Sequence, residues 1–258
     1  MICISGGFDR YYCSDSQGNY YIIANSKDKK NKLNSIGKNE DYLNSTKVIN
    51  KFISKLSNLN DYNKAEMHKN HEAATLKLKS YDWNFDIVPC FYTKNDFYLI
   101  PNGTGNWKKT DPRIDNERSS RINQKHNGNL LPLIRLIKYW NKHNSTFTIA
   151  SYILECLILN RYERIEPSDT WWIDLEFERT LSYMQSAILR NINDPKGIQG
   201  NLNYFSQPER YAIKEAIGIT CKKINEAKNF ELNAYNQEMA IKKWGEVFGL
   251  EFPMYNKE

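Results

Sequence analysis

Residues 83–91 read WNFDIVPCF, with one carboxylate, Asp86, at the centre of an otherwise aromatic and branched run. The composition predicts a strand buried in a core. A buried carboxylate without a partner costs several kcal/mol in rough terms, so Asp86 requires a partner. On a strand, Asp86 shares a face with Asn84 and Val88, while Trp83, Phe85 and Ile87 take the other. The pattern therefore predicts that the aromatic face anchors the strand and that Asp86 faces a cleft. Capping by a lysine or by backbone amides is the plainest structural account of such a residue.

The segments around this run indicate what it belongs to. AATLKLK (73–79) alternates, with Leu76 and Leu78 on one face and Thr75, Lys77 and Lys79 on the other, as a half-exposed strand does. The polar SYD between the two runs makes them a β-hairpin. FYLIP (97–101) is a further strand, closed by the Gly-rich NGTGNW, and YYIIA (20–24) is another. Residues 2–4 form a short apolar stub, and KDKKNK (27–32) is a charged, solvated loop. Ile49, Phe52, Ile53, Leu56 and Leu59 recur at helical spacing, which predicts an amphipathic helix over 45–59.

After residue 114 the pattern turns helical. LLPLIRLIKYWNK (130–142) carries Pro132 near its start, where proline is tolerated. TIASYILECLILN (148–160) is apolar nearly all round, as a central buried helix is. Residues 171–192 are amphipathic, and DPKGIQGNLNYFS (194–206) is a turn-rich connector. Ser206 with Glu209 three residues on forms a capping box for the next helix. A last helix, around 233–248, stops at Gly249. The shift in composition at 112–128 marks a lobe boundary, giving domains 1–113 and 114–258. The fold class is α+β: a mixed β-sheet lobe followed by an α-helical lobe.

Bulk properties narrow the function. The 258 residues supply ample core, at 40% hydrophobic and 13% aromatic. A mean hydropathy of -0.70 reflects many Lys and Asn residues. The net charge of +6 suits anionic partners such as nucleotides, but equally suits simple solubility. No apolar run reaches the roughly 18 residues of a membrane span, and MICISGGFDR lacks the features of a signal peptide. Five scattered cysteines, with no CxxC pair, read as reduced thiols of a cytoplasmic protein. His68 and His71 with Glu66 and Glu72 have ligand-like spacing, but their polar setting reads as a solvated helix end or turn, and zinc is not suggested.

FDIVPCF, FYLIPN, GNWKKTDPR, LLPLIRLIKYWNK, SYILE, DPKGIQGNLNYFS and AIKKWGEVFGLEFP occur in that order. Together they resemble the bacterial cGAS/DncV-like nucleotidyltransferases, or CD-NTases, of the polymerase-β-like superfamily, over roughly residues 73–253. The resemblance implies Mg²⁺-dependent synthesis of cyclic di- or trinucleotides from nucleoside triphosphates in antiphage signalling. It implies a helical lobe closing a nucleotide cleft, two Mg²⁺ ions held by three carboxylates, and no requirement for nucleic acid or membrane. Asp86 maps to the third carboxylate, as metal ligand and catalytic residue near the attacking hydroxyl. Lys138 and Ser151 map to triphosphate contacts, and Tyr152 to a tyrosine that stacks on a base. Read without the family, Lys138 could equally snorkel, Tyr152 could pack in the core, and Ser151 could bond back into its helix.

The family's GS loop and following Asp-x-Asp do not occur upstream of Asp86, and SGGF (5–8) with Asp9 does not match them. MICISGGFD is similar to the tail of the strand after that motif. The expectation is a chain that starts just beyond the motif or has lost it. Such a chain has little synthase activity, while its full-length parent is active. Asp86 then faces a cleft in the company of water, Lys or Arg. Two alternatives stay open: a degenerate module of the same fold that binds nucleotide or RNA without chemistry, or an RNA nucleotide-adding or oligoadenylate-type enzyme.

Overall fold

The computed structural model describes residues 2–3, 12–23, 27–28, 31, 42–81, 83–143 and 148–256. SGGF and Asp9 lie outside the described residues. The chain divides into two compact units, Met1–Pro112 and Arg113–Glu258.

The first unit is a sheet unit. Its strands are β1 (Ile2–Cys3), β2 (Tyr12–Ser14), β3 (Tyr20–Ile22), β4 (Glu66–Asn70), β5 (Ala73–Lys77), β6 (Asn84–Ile87), β7 (Pro89–Tyr92), β8 (Tyr98–Pro101) and β9 (Trp107–Thr110). They form a six-stranded sheet, β1-β7-β8-β9-β3-β2, and a three-stranded sheet, β4-β5-β6. Helix α1 (Ser45–Ser57) buries Val48 and Ile49 on its apolar side. Asn44 starts it, with its side chain accepting from the Lys47 amide at 3.1 Å.

The run 83–91 is two strands rather than one. β6 pairs with β5 in the three-stranded sheet, with Asn84 opposite Lys77 and Ile87 opposite Ala74. The chain changes sheets at Val88, and β7 pairs with β8 antiparallel and with β1 parallel, Ile2 opposite Pro89. Burial follows the same break: β7 carries buried Pro89, Cys90 and Phe91, whereas Asn84, Phe85 and Asp86 are exposed. Trp83 and Phe85 therefore do not anchor a core strand. They cluster with Tyr81 at the surface, with ring centroids 4.5–6.4 Å apart.

The neighbouring strand departs from its pattern in the opposite sense. β5 lies between β4 and β6 and is packed by α1, so Ala73, Ala74, Thr75 and Leu76 are all buried. The expected half-exposed alternation is overridden by its central position. Glu66, His68, His71 and Glu72 sit on β4 and its turn into β5, so of the expected helix end or turn it is the turn, of a hairpin, that forms. The core of the larger sheet gathers Ile22, Leu43, Phe91, Leu99 and Trp107, whose Nε1 donates to the Leu43 carbonyl at 2.6 Å.

The helical unit comprises α2 (Pro112–Lys125), α3 (Leu130–His143), α4 (Ser151–Arg164), α5 (Ile173–Ala187), α6 (Gln207–Leu232) and α7 (Gln237–Phe248). Helix α4 is central, burying Ile153, Leu154, Cys156, Leu157, Ile158, Leu159 and Tyr162. The Ser206/Glu209 capping box forms, the Ser206 amide donating to Glu209 Oε2 at 2.7 Å. α7 ends at Gly249, whose φ is 89°.

The loop NGTGNW ties α1 to the larger sheet. The Gly105 carbonyl accepts from the Ser45 amide at 2.8 Å, and Gly105 has φ 104°. A Cβ there would sit 3.0 Å from the Asn44 side chain that caps α1. Gly105→Ala is therefore expected to lower the unfolding free energy by about 1–3 kcal/mol through backbone strain. Urea unfolding of the two proteins measures this, and matching midpoints would refute it.

Candidate nucleotide-binding site

Asp86 of β6 stands opposite Thr75 of β5. The Thr75 hydroxyl donates to Asp86 Oδ1 at 2.5 Å. Thr75 is 3% exposed, so its hydroxyl needs an internal acceptor. Asp86 itself is exposed, and its second oxygen needs no protein partner. The apparent puzzle of a buried carboxylate thus dissolves. The strand's aromatic residues are not in the core either, and the partner is a cross-strand hydroxyl, not Lys or Arg.

The residues present are a poor match for a Mg²⁺ pair. Magnesium demands a near-octahedral shell of oxygens. Among the described residues no group of three His, Cys, Asp or Glu converges in a way that could hold a metal. Asp86, with one oxygen already engaged by Thr75, does not by itself fit a two-ion site.

In the helical unit, Lys138 of α3 forms an ion pair with Glu155 of α4. Glu155 follows Ser151 by four residues, so the two share one face of α4. The Lys138 ammonium is thereby held close to the first turn of that helix. Ser151 is the first residue of α4 and is exposed, with no preceding helical turn to bond back into. Ala150 in the cap position supplies no side-chain acceptor, and the first turn holds no acidic residue. The opening amides of α4 therefore have no side-chain acceptor at the cap, a setting that favours an anion.

Tyr152, next along α4, is held by other groups. Its ring packs against the helical core, and its hydroxyl lies 2.9 Å from Asp115 Oδ1 and 2.8 Å from Asp194 Oδ1. The Lys196 ammonium bonds the same hydroxyl, reaches Asp115 Oδ2 at 2.8 Å and Asp194 Oδ1 at 3.3 Å, and lies 4.0 Å above the Tyr152 ring centroid. Burial, and next the bond to Asp194, push the Tyr152 hydroxyl far above its ordinary value, so it stays a neutral phenol.

Asp194 is held by its own turn. Its Oδ2 accepts from the amides of Ile198 and Gln199 at 3.1 and 2.9 Å, and its Oδ1 from the Lys196 amide at 3.2 Å. Burial works to raise its pKa, but these amides, the Tyr152 hydroxyl and Lys196 outweigh it and hold the carboxyl below its ordinary 3.8.

Sequence reasoning singled out Lys138, Ser151 and Tyr152 but not Asp115, Asp194, Lys196, Glu155 or Thr75, which the structure joins to them or to Asp86. The signal available was the Asp-Pro-Lys-Gly of 194–197. An Asp before a tight turn commonly caps the amides that follow it. A cavity of about 500 Å³ borders Asp194 on the α2/α4 side. Its cations Arg118 and Arg121 are both bound to Glu163, at 2.8 and 2.5 Å.

A depressed native pKa stabilises the fold above the unfolded value and is lost as pH falls through the native one. Asp194→Asn is expected to cost about 1–3 kcal/mol at pH 7 by leaving buried donors unsatisfied. It should also flatten the loss of stability below pH 3.8. Thermal melts of both proteins between pH 7 and pH 3 read both effects, and parallel acid limbs would discount the assignment.

No protein-family model matches the chain. It is 41% identical over 241 residues to the "Probable cyclic nucleotide synthase" of Bacillus cereus (strain VD146), covering 91% of this chain and 71% of that protein. It is 28% identical over 205 residues to the cyclic AMP-AMP-AMP synthase of an Acinetobacter species, covering 76% of this chain and 57% of that one. Among solved structures, Escherichia coli MS115-1 CdnC with ATP superposes with a TM-score of 0.64 at 16% identity, over 81% of this chain and 73% of that one. Escherichia coli DncV bound to 3'-deoxy GTP gives 0.64 at 14% identity, over 89% and 61%. The structural likenesses show the nucleotidyltransferase fold. With the extent of the Bacillus match, they establish that the chain belongs to the CD-NTase family, the nucleotidyltransferases that make cyclic oligonucleotides.

Proposed function

We propose that this chain binds nucleoside triphosphates through its helical unit, as part of a cytoplasmic enzyme that makes cyclic di- or trinucleotide messengers in antiviral defence. The observation that carries the reading is the start of α4. Its capless amides, the Ser151 hydroxyl and the nearby Lys138 ammonium offer donors and positive charge to one small region. A triphosphate suits that region: helix amides and a hydroxyl donate to phosphate oxygens, and lysine supplies a compact charge. Lys138 and Glu155 are each about one-third exposed, so the ammonium can leave Glu155 for a phosphate at modest cost. Base stacking falls to Tyr152, whose ring is fixed by its tied hydroxyl. ATP is the nucleotide suggested by the name of the Acinetobacter relative.

Asp86 is assigned the role of metal ligand beside the attacking ribose hydroxyl. In this family Mg²⁺ supplies charge stabilisation and hydroxyl activation when bound. The described residues do not complete a two-ion site, which also favours a second reading, a nucleotide-binding module without turnover.

Lys138→Met and Ser151→Ala are each expected to weaken ATP binding about tenfold or more, the scale of a charge-assisted hydrogen bond. Calorimetric titration of the full chain tests this, and unchanged affinity in both variants would refute the triphosphate site. Mixed nucleotides with Mg²⁺ should yield little cyclic product from these 258 residues by mass analysis. Rapid turnover would overturn the view that Asp86 lacks metal-binding company among the described residues.

A further inference from the structure

One cavity of the helical unit is almost wholly apolar. It measures about 330 Å³ and is walled by Leu136 of α3, Ile173 and Phe177 of α5, Trp244 and Phe248 of α7, and Phe252 beyond it. Trp244, Phe248 and Phe252 stack in series, with ring centroids 5.9 and 5.6 Å apart and interplanar angles of 16° and 18°. Ile173 is 41% exposed and the preceding Trp172 65%, so the cavity meets solvent at the start of α5. The one charged residue on its wall is Asp174. That carboxylate is half-buried, and among the described residues its side chain has no hydrogen bond or ion pair. The first turn of α5 favours a negative charge there, but it supplies the two oxygens with no donor. A partly desolvated carboxylate beside an apolar wall gains from a cation that brings its own donors.

We infer that this cavity binds a small organic cation, an aromatic body that carries one protonated amine. The body replaces water against the aromatic wall, and the ammonium donates to Asp174. The volume lies at the small end of ligand pockets, which run from about 300 to 1,000 Å³, so it suits an amine of one or two rings. A neutral alcohol of the same shape forfeits the charge-assisted bond, and an anion meets like charge. The site is separate from the proposed triphosphate contacts. Leu136 and Lys138 stand two residues apart on α3 and do not share a face.

Tryptamine, tryptophol and indole-3-propionate carry one indole with a positive, a neutral and a negative tail. Titration of the full chain with each, followed by ligand-observed NMR, tests the inference. Tryptamine should bind at millimolar concentration or below, about tenfold tighter than tryptophol, with indole-3-propionate the weakest. That series needs no mutation and so does not depend on a variant folding. In Asp174→Asn, its fold checked by thermal melt, tryptamine should lose about tenfold in affinity while tryptophol is nearly unchanged. No binding of tryptamine, or equal wild-type affinities for the three ligands, overturns the inference. So does a folded Asp174→Asn that keeps the wild-type preference for the cation.

Discussion

The arrangement of the helical unit rests on the burial of one ammonium. Lys196 is 4% exposed, and burying a lone cation is costly. Its partners are Asp194, Asp115 and the hydroxyl and face of Tyr152. Those partners come from α2, from α4 and from the turn of 194–200. Satisfying one cation therefore fixes where α2 starts, where α4 starts and how the connector between α5 and α6 folds back. The start of α4 carries Ser151, so the geometry of the candidate phosphate site follows from this buried charge. A hydrophobic contact at the same place would hold the helices together without aligning their ends, because it has no direction.

In the sheet unit the equivalent constraint is the change of sheet at Val88–Pro89. Proline has no amide proton to give to a ladder, and the chain moves there from the β5 edge to the β1/β8 ladder. β7 is consequently buried while β6 stays open. Asp86 gains from this an exposed position on a strand whose register is fixed by four cross-strand pairs. The switch of sheets thus gives Asp86 a fixed backbone and an accessible oxygen at once.

Much of this was legible in the sequence where a local rule carried the information. The helical periodicity of α1, the apolar surface of α4, the capping box at Ser206 and the stop at Gly249 each appear where residues within one turn specify them. The misreadings arise where burial is decided by distant chain. Trp83 and Phe85 have the composition of core residues, but which strand they border is set by pairings with residues outside their own run. β5 alternates in composition yet is buried on both faces, because α1 and two neighbouring strands enclose it. The Lys196 cluster was illegible for the same reason. Asp115 and Lys196 stand 81 residues apart, and nothing in either segment names the other.

The two lysines near the start of α4 also show why one is assigned to chemistry and the other to architecture. Lys138 has a single carboxylate partner and about one-third of its side chain in solvent. Exchanging Glu155 for a phosphate leaves Glu155 hydrated, which costs little in a screened setting. Lys196 answers two carboxylates and a phenol in a nearly dry environment. Moving its ammonium toward a ligand would strand Asp194, whose side chain has no contact with water, and removing one partner of a buried pair costs far more than an exposed pair contributes. The exchangeable cation is thus Lys138, the one that the proposed triphosphate site would use. The locked cation holds Asp115, Asp194 and the ring of Tyr152 in place.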